Sequence, residues 1–93
     1  MFITSEMFNE IKQQYFSGKD ENARFLRFGQ YIHFVINNEY PYIDDKIKDA
    51  IEEDEKLKEK WDKLFYTKNI HEAESIMFSN FIDTSNWDLN TII

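Results

Sequence analysis

The chain has 93 residues and a formal net charge of −7 at pH 7. Binding to a nucleic-acid backbone depends on Lys and Arg side chains that displace counterions, so this acidic balance argues against direct nucleic-acid binding. The absence of cysteine excludes a disulfide framework and a thiolate metal site. Hydrophobic residues make up 42% of the chain and aromatic residues 17%, which favours a folded core over disorder.

Turn-forming residues are scarce, with two Gly and one Pro. Because all-β folds need frequent turns, this scarcity predicts an all-α fold. We expect a single helical domain over residues 1–93, a compact bundle of four or five short helices around a central helix. No apolar run approaches the ~18 residues of a membrane span, and no basic segment followed by an apolar run opens the chain. We therefore expect a cytoplasmic protein without a signal peptide.

The most apolar stretch predicts the central helix, over about residues 20–38. Asp20 is a good N-cap for it, and Gly29 lies near its middle. A Gly inside a helix costs about 1 kcal/mol relative to Ala, so Gly29 suggests that another helix approaches the backbone closely. Helical spacing places the following apolar residues on one face: Phe25, Phe28, Ile32, Val35 and Ile36.

A first helix is predicted over about residues 5–17, capped by Thr4 or Ser5 and ended by Gly18. After the central helix, Pro41 predicts a rigid corner, because it biases the preceding residue away from helical angles.

A third helix could begin at Asp44 or Asp45. Residues 44–66 form either one bent helix or two, and we favour two, with a break near Asp54.

The last helix is predicted over about residues 70–83, with Thr67 or Asn69 as its cap. The tail over residues 84–93 follows a polar break. It either docks on the core or forms a short strand or a partner-binding tail.

Motifs for chemistry are missing. His33 and His71 stand alone on separate predicted helices, without the convergent ligands that a metal site needs. The serines lack the glycines of a nucleophile elbow, and Gly18 and Gly29 lie on different segments, so no Gly-rich loop can hold a phosphate. We therefore expect a non-enzymatic protein with no metal site and no cofactor.

Acidic side chains dominate the polar face of the third helix. We take four of them as candidate partner-binding residues: Asp45, Asp49, Glu52 and Glu53. They could meet a basic protein partner, including one that binds nucleic acid. The plainer interpretation is a solvated helix surface, since lysines are interleaved with these carboxylates.

The two arginines, Arg24 and Arg27, are predicted to lie on one helix face beside Tyr31. Arginine binds carboxylates and phosphates through two parallel hydrogen bonds. One hypothesis is therefore a partner-binding patch, or a pocket for a small anionic ligand in a homo-oligomer. The alternative, which we favour, is that both arginines pair with carboxylates elsewhere in the fold.

Aromatic side chains in predicted loops form the last candidate set, represented by Tyr40 and Tyr42. Tyrosine at a surface is favoured as an interface anchor. These residues either contact a partner, most simply in a homodimer, or cover the ends of the core.

Two short motifs carry a resemblance to a known group of proteins. They are Arg27-Phe28-Gly29-Gln30 in an amphipathic helix and Trp61-x-x-Leu64-Phe65-Tyr66 before an acidic closing helix. Over residues 22–83 the chain resembles small phage and prophage proteins of AT-rich Gram-positive bacteria. Small acidic phage proteins include inhibitors of host defence, among them anti-CRISPR proteins. The resemblance implies a protein that binds a host protein in the host cytoplasm, for example by masking its nucleic-acid-binding surface, and it implies no catalytic residues.

Overall fold

Residues 2–83 are described by a computed structural model. They form six helices and one two-stranded sheet. The elements in chain order are β1 Ile3–Thr4, α1 Ser5–Ser17, α2 Asn22–Phe25, α3 Phe28–Glu39, α4 Pro41–Glu53, α5 Glu55–Tyr66, α6 Ile70–Asn80 and β2 Ile82–Asp83. The all-α prediction is confirmed, with one helix more than the four or five expected. Within this part of the chain, no helix has the length and apolarity needed to cross a bilayer.

The first helix has the predicted bounds and the predicted ends. Thr4 is its N-cap, and the Thr4 hydroxyl accepts a hydrogen bond from the Met7 amide at 3.1 Å. Gly18 follows the last turn with φ of 71°, the left-handed conformation that Gly adopts at little cost. Local sequence signals therefore suffice to define α1.

The prediction of one helix over residues 20–38 is wrong in its first third. The helical path ends at Phe25, Leu26 and Arg27 are extended, and α3 begins at Phe28. The Tyr15 hydroxyl donates to the Leu26 carbonyl at 2.9 Å, and the Gln30 side chain accepts from the Arg27 amide at 3.0 Å. These two bonds hold the extended pair and start the new helix.

The break also changes which side chains reach the core. Phe25, predicted as a core residue, is 84% exposed on the single-turn helix α2, whereas Phe28 is 3% exposed. Asp20 does not cap a long helix; its carboxylate accepts from the Asn22 amide at 3.0 Å and so closes the turn before α2. The prediction for this face is therefore correct only from Phe28 onward.

Residues 41–66 form two helices, as favoured from the sequence. Asp54 separates them and caps α5, because its carboxylate accepts from the amides of Lys56 and Leu57 at 3.0 and 3.1 Å. The start of α4 differs from the prediction. It begins at Pro41 and not at Asp44 or Asp45, since Pro fits the first helical position, where its missing N–H removes no helical hydrogen bond.

Asn69 caps α6, and its side chain accepts from the amides of His71 and Glu72 at 2.9 and 3.2 Å. This helix ends at Asn80, earlier than the predicted residue 83. Ile82 and Asp83 instead pair in parallel with Ile3 and Thr4. A strand of two residues is too short to show the alternation of apolar and polar side chains from which a strand is predicted. The predictions for residues 84–93 lie outside the described residues.

Helix α3 lies at the centre of the bundle and contacts α1, α4, α5 and α6. Its inward residues are fully buried, with Ile32 and Ile36 at 0% exposure. Gly29 lies against α5, and a Cβ added there would overlap the Leu64 carbonyl oxygen. The predicted close crossing at Gly29 is therefore confirmed, and it sets the position of α5 relative to α3.

Candidate functional site

The acidic side chains of α4 form one exposed surface. We call it the acidic face and define it by the carboxylates of Asp45, Asp49, Glu52 and Glu53, all of which are exposed. Their spacing of four, three and one residues places them on one side of a helix. Among the described residues none of the four forms an ion pair, although Lys46 borders the face.

Tyr42 extends the acidic face toward the start of α4. It lies three residues before Asp45, on the same side of the helix, and is 60% exposed. Tyr40 differs, because it is half-buried against the core and burial raises the pKa of its hydroxyl. Of the two candidate tyrosines, Tyr42 is the one that a partner can contact over a large area.

Asp44 lies beside the acidic face and is 7% exposed, the one charged residue classed as buried in the described part. Its Oδ2 atom accepts from the Asn37 amide at 3.1 Å and from the Lys48 ammonium at 2.9 Å. The hydrogen bond to Asp44 raises the pKa of Lys48. Oδ1 of Asp44 has no hydrogen-bond partner among the described residues.

A cleft of about 410 Å³ opens at Asp44, between α3, α4 and α5. Its walls combine aromatic rings with amide, imidazole and charged groups. The lining residues are Leu26, Gln30, His33, Phe34, Asn37, Asn38, Asp44, Lys48, Trp61 and Phe65. We call this the Asp44 cleft.

His33 and Trp61 line this cleft side by side. The two ring centroids lie 3.8 Å apart, and the Phe65 ring centroid lies 5.3 Å from that of the imidazole, with the two rings nearly perpendicular. His33 Nε2 lies 2.9 Å from the Trp61 carbonyl oxygen. A carbonyl only accepts, so Nε2 carries the hydrogen and the neutral ring has its lone pair on Nδ1. Burial lowers the pKa of His33, which favours this neutral form.

The placement of both histidines agrees with a structural role. His33 lies at the edge of the core, and His71 is exposed in the first turn of α6. Within residues 2–83, no three side chains of the His, Asp and Glu types come together as a metal-binding group.

The predicted patch of Arg24, Arg27 and Tyr31 is not assembled. Arg24 is exposed on α2, Arg27 lies in the extended pair before α3, and Tyr31 is 0% exposed. The Tyr31 hydroxyl donates to Asp20 at 2.9 Å, within the fold. Burial and this carboxylate raise the pKa of Tyr31. The premise of the patch, one unbroken helix, is wrong, and the partner-binding role of the two arginines stays a prediction.

The ion pairs expected for the arginines are not formed within residues 2–83 either, where neither side chain pairs with a carboxylate. The predicted homodimer stays a prediction.

Sequence reasoning missed the Asp44 cleft. Its central hydrogen bond joins Asn37 at the end of α3 to Asp44 in the first turn of α4, across the corner at Pro41. The sequence does place amide side chains before this corner and a carboxylate after it, and from this placement the hydrogen bond could have been predicted. One side of the cleft belongs to α5, which contributes Trp61 and Phe65 from further along the chain.

Comparisons of the chain with protein-family profiles, with curated proteins and with solved structures found no significant match. Function is therefore inferred from the chemistry of the chain's own residues.

Proposed function

We propose that this protein acts by binding, without catalysis, and that its acidic face contacts a basic surface on another protein. The observation that carries the proposal is the exposure of four carboxylates on one side of α4, none of them in an ion pair within the described residues. Lys48, on the side of α4 opposite Lys46, forms an ion pair with Asp44. Opposite charge on a partner would raise both the association rate and the specificity.

The spacing of the charges supports a particular kind of partner. Asp45 and Glu53 are separated by about 12 Å along the helix axis, at about 1.5 Å per residue. Four carboxylates over this length give roughly one negative charge per 4 Å, close to the ~3.4 Å per charge along one strand of duplex DNA. A protein surface that binds a nucleic-acid strand would therefore also fit the acidic face.

Tyr42 supplies the apolar part of the proposed contact. Interface energies concentrate in a few aromatic and arginine residues, whereas rim charges mainly set rate and specificity. Because Tyr42 is 60% exposed beside Asp45, it can be buried by a partner that also meets the carboxylates.

In this proposal the protein is encoded by a phage or another mobile element and acts in the host cytoplasm. Its partner is a host protein, for example a defence protein of the kind that anti-CRISPR proteins inhibit. The acidic face would mask that partner's nucleic-acid-binding surface. The resemblance at residues 27–30 and 61–66 supports this assignment.

The test is partner capture from a lysate of an AT-rich Gram-positive host, with identification by mass spectrometry. A variant carrying Asp49→Lys, Glu52→Lys and Glu53→Lys removes the acidic face. A control carrying Glu10→Lys, Glu21→Lys and Glu59→Lys changes the net charge equally, at exposed positions on other elements.

We expect the parent and the control to retain the same partner, the acidic-face variant to lose it, and high salt to weaken the capture. The purified partner should then release its nucleic acid when the parent protein is added. If no protein is retained at any salt concentration, or if both variants behave alike, the acidic face is not the binding surface.

A further inference from the structure

Several residues that line the Asp44 cleft keep a hydrogen-bond acceptor without a partner in the described residues. The Asn37 side-chain nitrogen donates to Asp44 at 3.1 Å, and the Asn38 side-chain nitrogen donates to the Phe34 carbonyl at 2.8 Å. His33 donates through Nε2 to the Trp61 carbonyl. In each case an N–H group is bonded inside the protein, which leaves an amide oxygen or the His33 Nδ1 lone pair without a partner in the described residues.

The two oxygens of the Asp44 carboxylate also differ, because one has internal partners and the other has none among the described residues. Both internal donors, Asn37 and Lys48, converge on Oδ2. Oδ1 is reachable from solvent, since within residues 2–83 the one fully buried side-chain nitrogen or oxygen without a partner is Nε of Arg27. A carboxylate that is 7% exposed and retains an open oxygen is a strong acceptor at low local dielectric.

The walls of the cleft select among cations. Phe34 and Phe65 line the cleft and are half-buried, so part of each side chain is accessible, and the Trp61 ring lies against His33. A guanidinium is planar, donates two parallel hydrogen bonds to a carboxylate and stacks on aromatic faces. A compact ammonium, such as that of Lys48, is a point charge and lacks the planar fork that forms two parallel hydrogen bonds. A divalent metal ion would need several oxygen ligands, and the cleft offers one carboxylate.

From these features we propose that the Asp44 cleft binds a guanidinium group, the side chain of an arginine on the bound protein partner. The guanidinium pairs with Asp44, donates its remaining N–H groups to the amide oxygens, and stacks on the aromatic wall. It displaces Lys48, whose side chain is 60% exposed and can turn into water. The inference rests on the proposed function only for the source of the arginine.

The position of the cleft explains why the arginine would come from that partner. Lys48 lines the Asp44 cleft, and with Glu52 it also lines a neighbouring depression of about 470 Å³ between α4 and α5. Glu52 belongs to the acidic face. A basic polypeptide seated on the acidic face would therefore have the Asp44 cleft at its edge, within reach of one long side chain.

The test is a titration of the ¹⁵N-labelled full chain with Nα-acetyl-L-arginine amide, followed by two-dimensional NMR. We expect shift changes at the side-chain amide of Asn37 and the indole N–H of Trp61. Asp44→Asn should weaken binding at least about tenfold, as expected for loss of a charge-assisted hydrogen bond. The control, Glu59→Gln, removes an equal charge at an exposed position of α5 outside the cleft and should leave the affinity within about twofold.

Lys48→Met provides a second variant at an exposed position, so the result does not depend on how Asp44→Asn folds. Removing the competing ammonium should strengthen arginine binding severalfold, while the control Lys46→Met should not. Nα-acetyl-L-lysine amide should bind at least about fivefold more weakly than the arginine compound.

Three results would overturn the proposal: no shift change at cleft residues, equal effects of Asp44→Asn and Glu59→Gln, or equal binding of the lysine compound. Agmatine binding more tightly than the blocked arginine would instead assign the cleft to a small molecule and overturn the polypeptide source. Because this titration contains no protein partner, its outcome is independent of the capture experiment, which tests the acidic face alone.

Discussion

Gly29 offers a sharp test of how the bundle is held together. It lies at the start of α3, where a Cβ would overlap the carbonyl oxygen of Leu64 on α5. That oxygen belongs to the backbone and has no side-chain rotation by which to move away. Gly29→Ala therefore requires α5 to shift relative to α3.

Whether Gly29→Ala raises or lowers the stability shows which is larger, the gain in helix propensity or the cost of overpacking. Ala is favoured over Gly in a helix by up to about 1 kcal/mol, so without a clash the variant would be more stable. Overpacking typically costs about 1–3 kcal/mol, and a backbone obstacle places Gly29→Ala at the upper end. We expect a net destabilisation of about 2 kcal/mol, which lowers the melting temperature of a chain of this size by roughly 8–16 °C.

The assay is thermal and urea unfolding followed by far-UV circular dichroism. Gly18→Asn is the matched control: nothing lies within 4 Å of a Cβ at Gly18, and Asn tolerates the φ of 71° found there. Because the left-handed φ strains any L side chain, the control should cost up to about 1 kcal/mol, less than Gly29→Ala. A Gly29→Ala variant that melts at or above the parent would refute the close crossing.

Three further predictions concern stability. Tyr31→Phe removes the buried hydroxyl that donates to Asp20, which should cost about 1–2 kcal/mol in urea unfolding, whereas Tyr42→Phe at its exposed position should change little. Asn69→Ala removes the cap that accepts from two amides of α6 and should cost about 1 kcal/mol; an unchanged urea midpoint would show that the cap is dispensable. Burial lowers the pKa of His33 below 6.5, despite the opposing influence of the Trp61 carbonyl, Asp44 and Asp62. The unfolded chain then binds more protons, so stability should fall as pH drops from 6.5 through the folded-state pKa and be independent of this group above 6.5. An NMR titration that places the His33 pKa at or above 6.5 would contradict this.

Local signals in the sequence were sufficient for much of the fold. Thr4 and Gly18 define α1, Asn69 begins α6, and Asp54 divides α4 from α5. Each of these acts through hydrogen bonds to amides two or three residues away, or through its own backbone angle, so its effect is readable from the neighbouring residues. The acidic face was readable for the same reason, because helical spacing alone places its carboxylates together.

Only the tertiary structure decided the features that depend on distant partners. The extended pair at Leu26 and Arg27 is held by the hydroxyl of Tyr15, eleven residues earlier. At this break Phe25 is exposed, and Arg24 on α2 no longer shares one helix with Arg27, although periodicity had placed both arginines on one helix face. A hydrophobic pattern predicts which side chains are buried, but it does not predict a hydrogen bond between residues that are distant in the sequence.

The Asp44 cleft likewise combines features that the sequence predicts with features that arise only on packing. The sequence established that the chain is helical and acidic and where most helices begin and end. Packing of α5 against α3 and α4 then turned one aspartate among many into a buried carboxylate with an open oxygen. Burial changes the energy of a charge through its surroundings, and those surroundings exist only once the helices have packed.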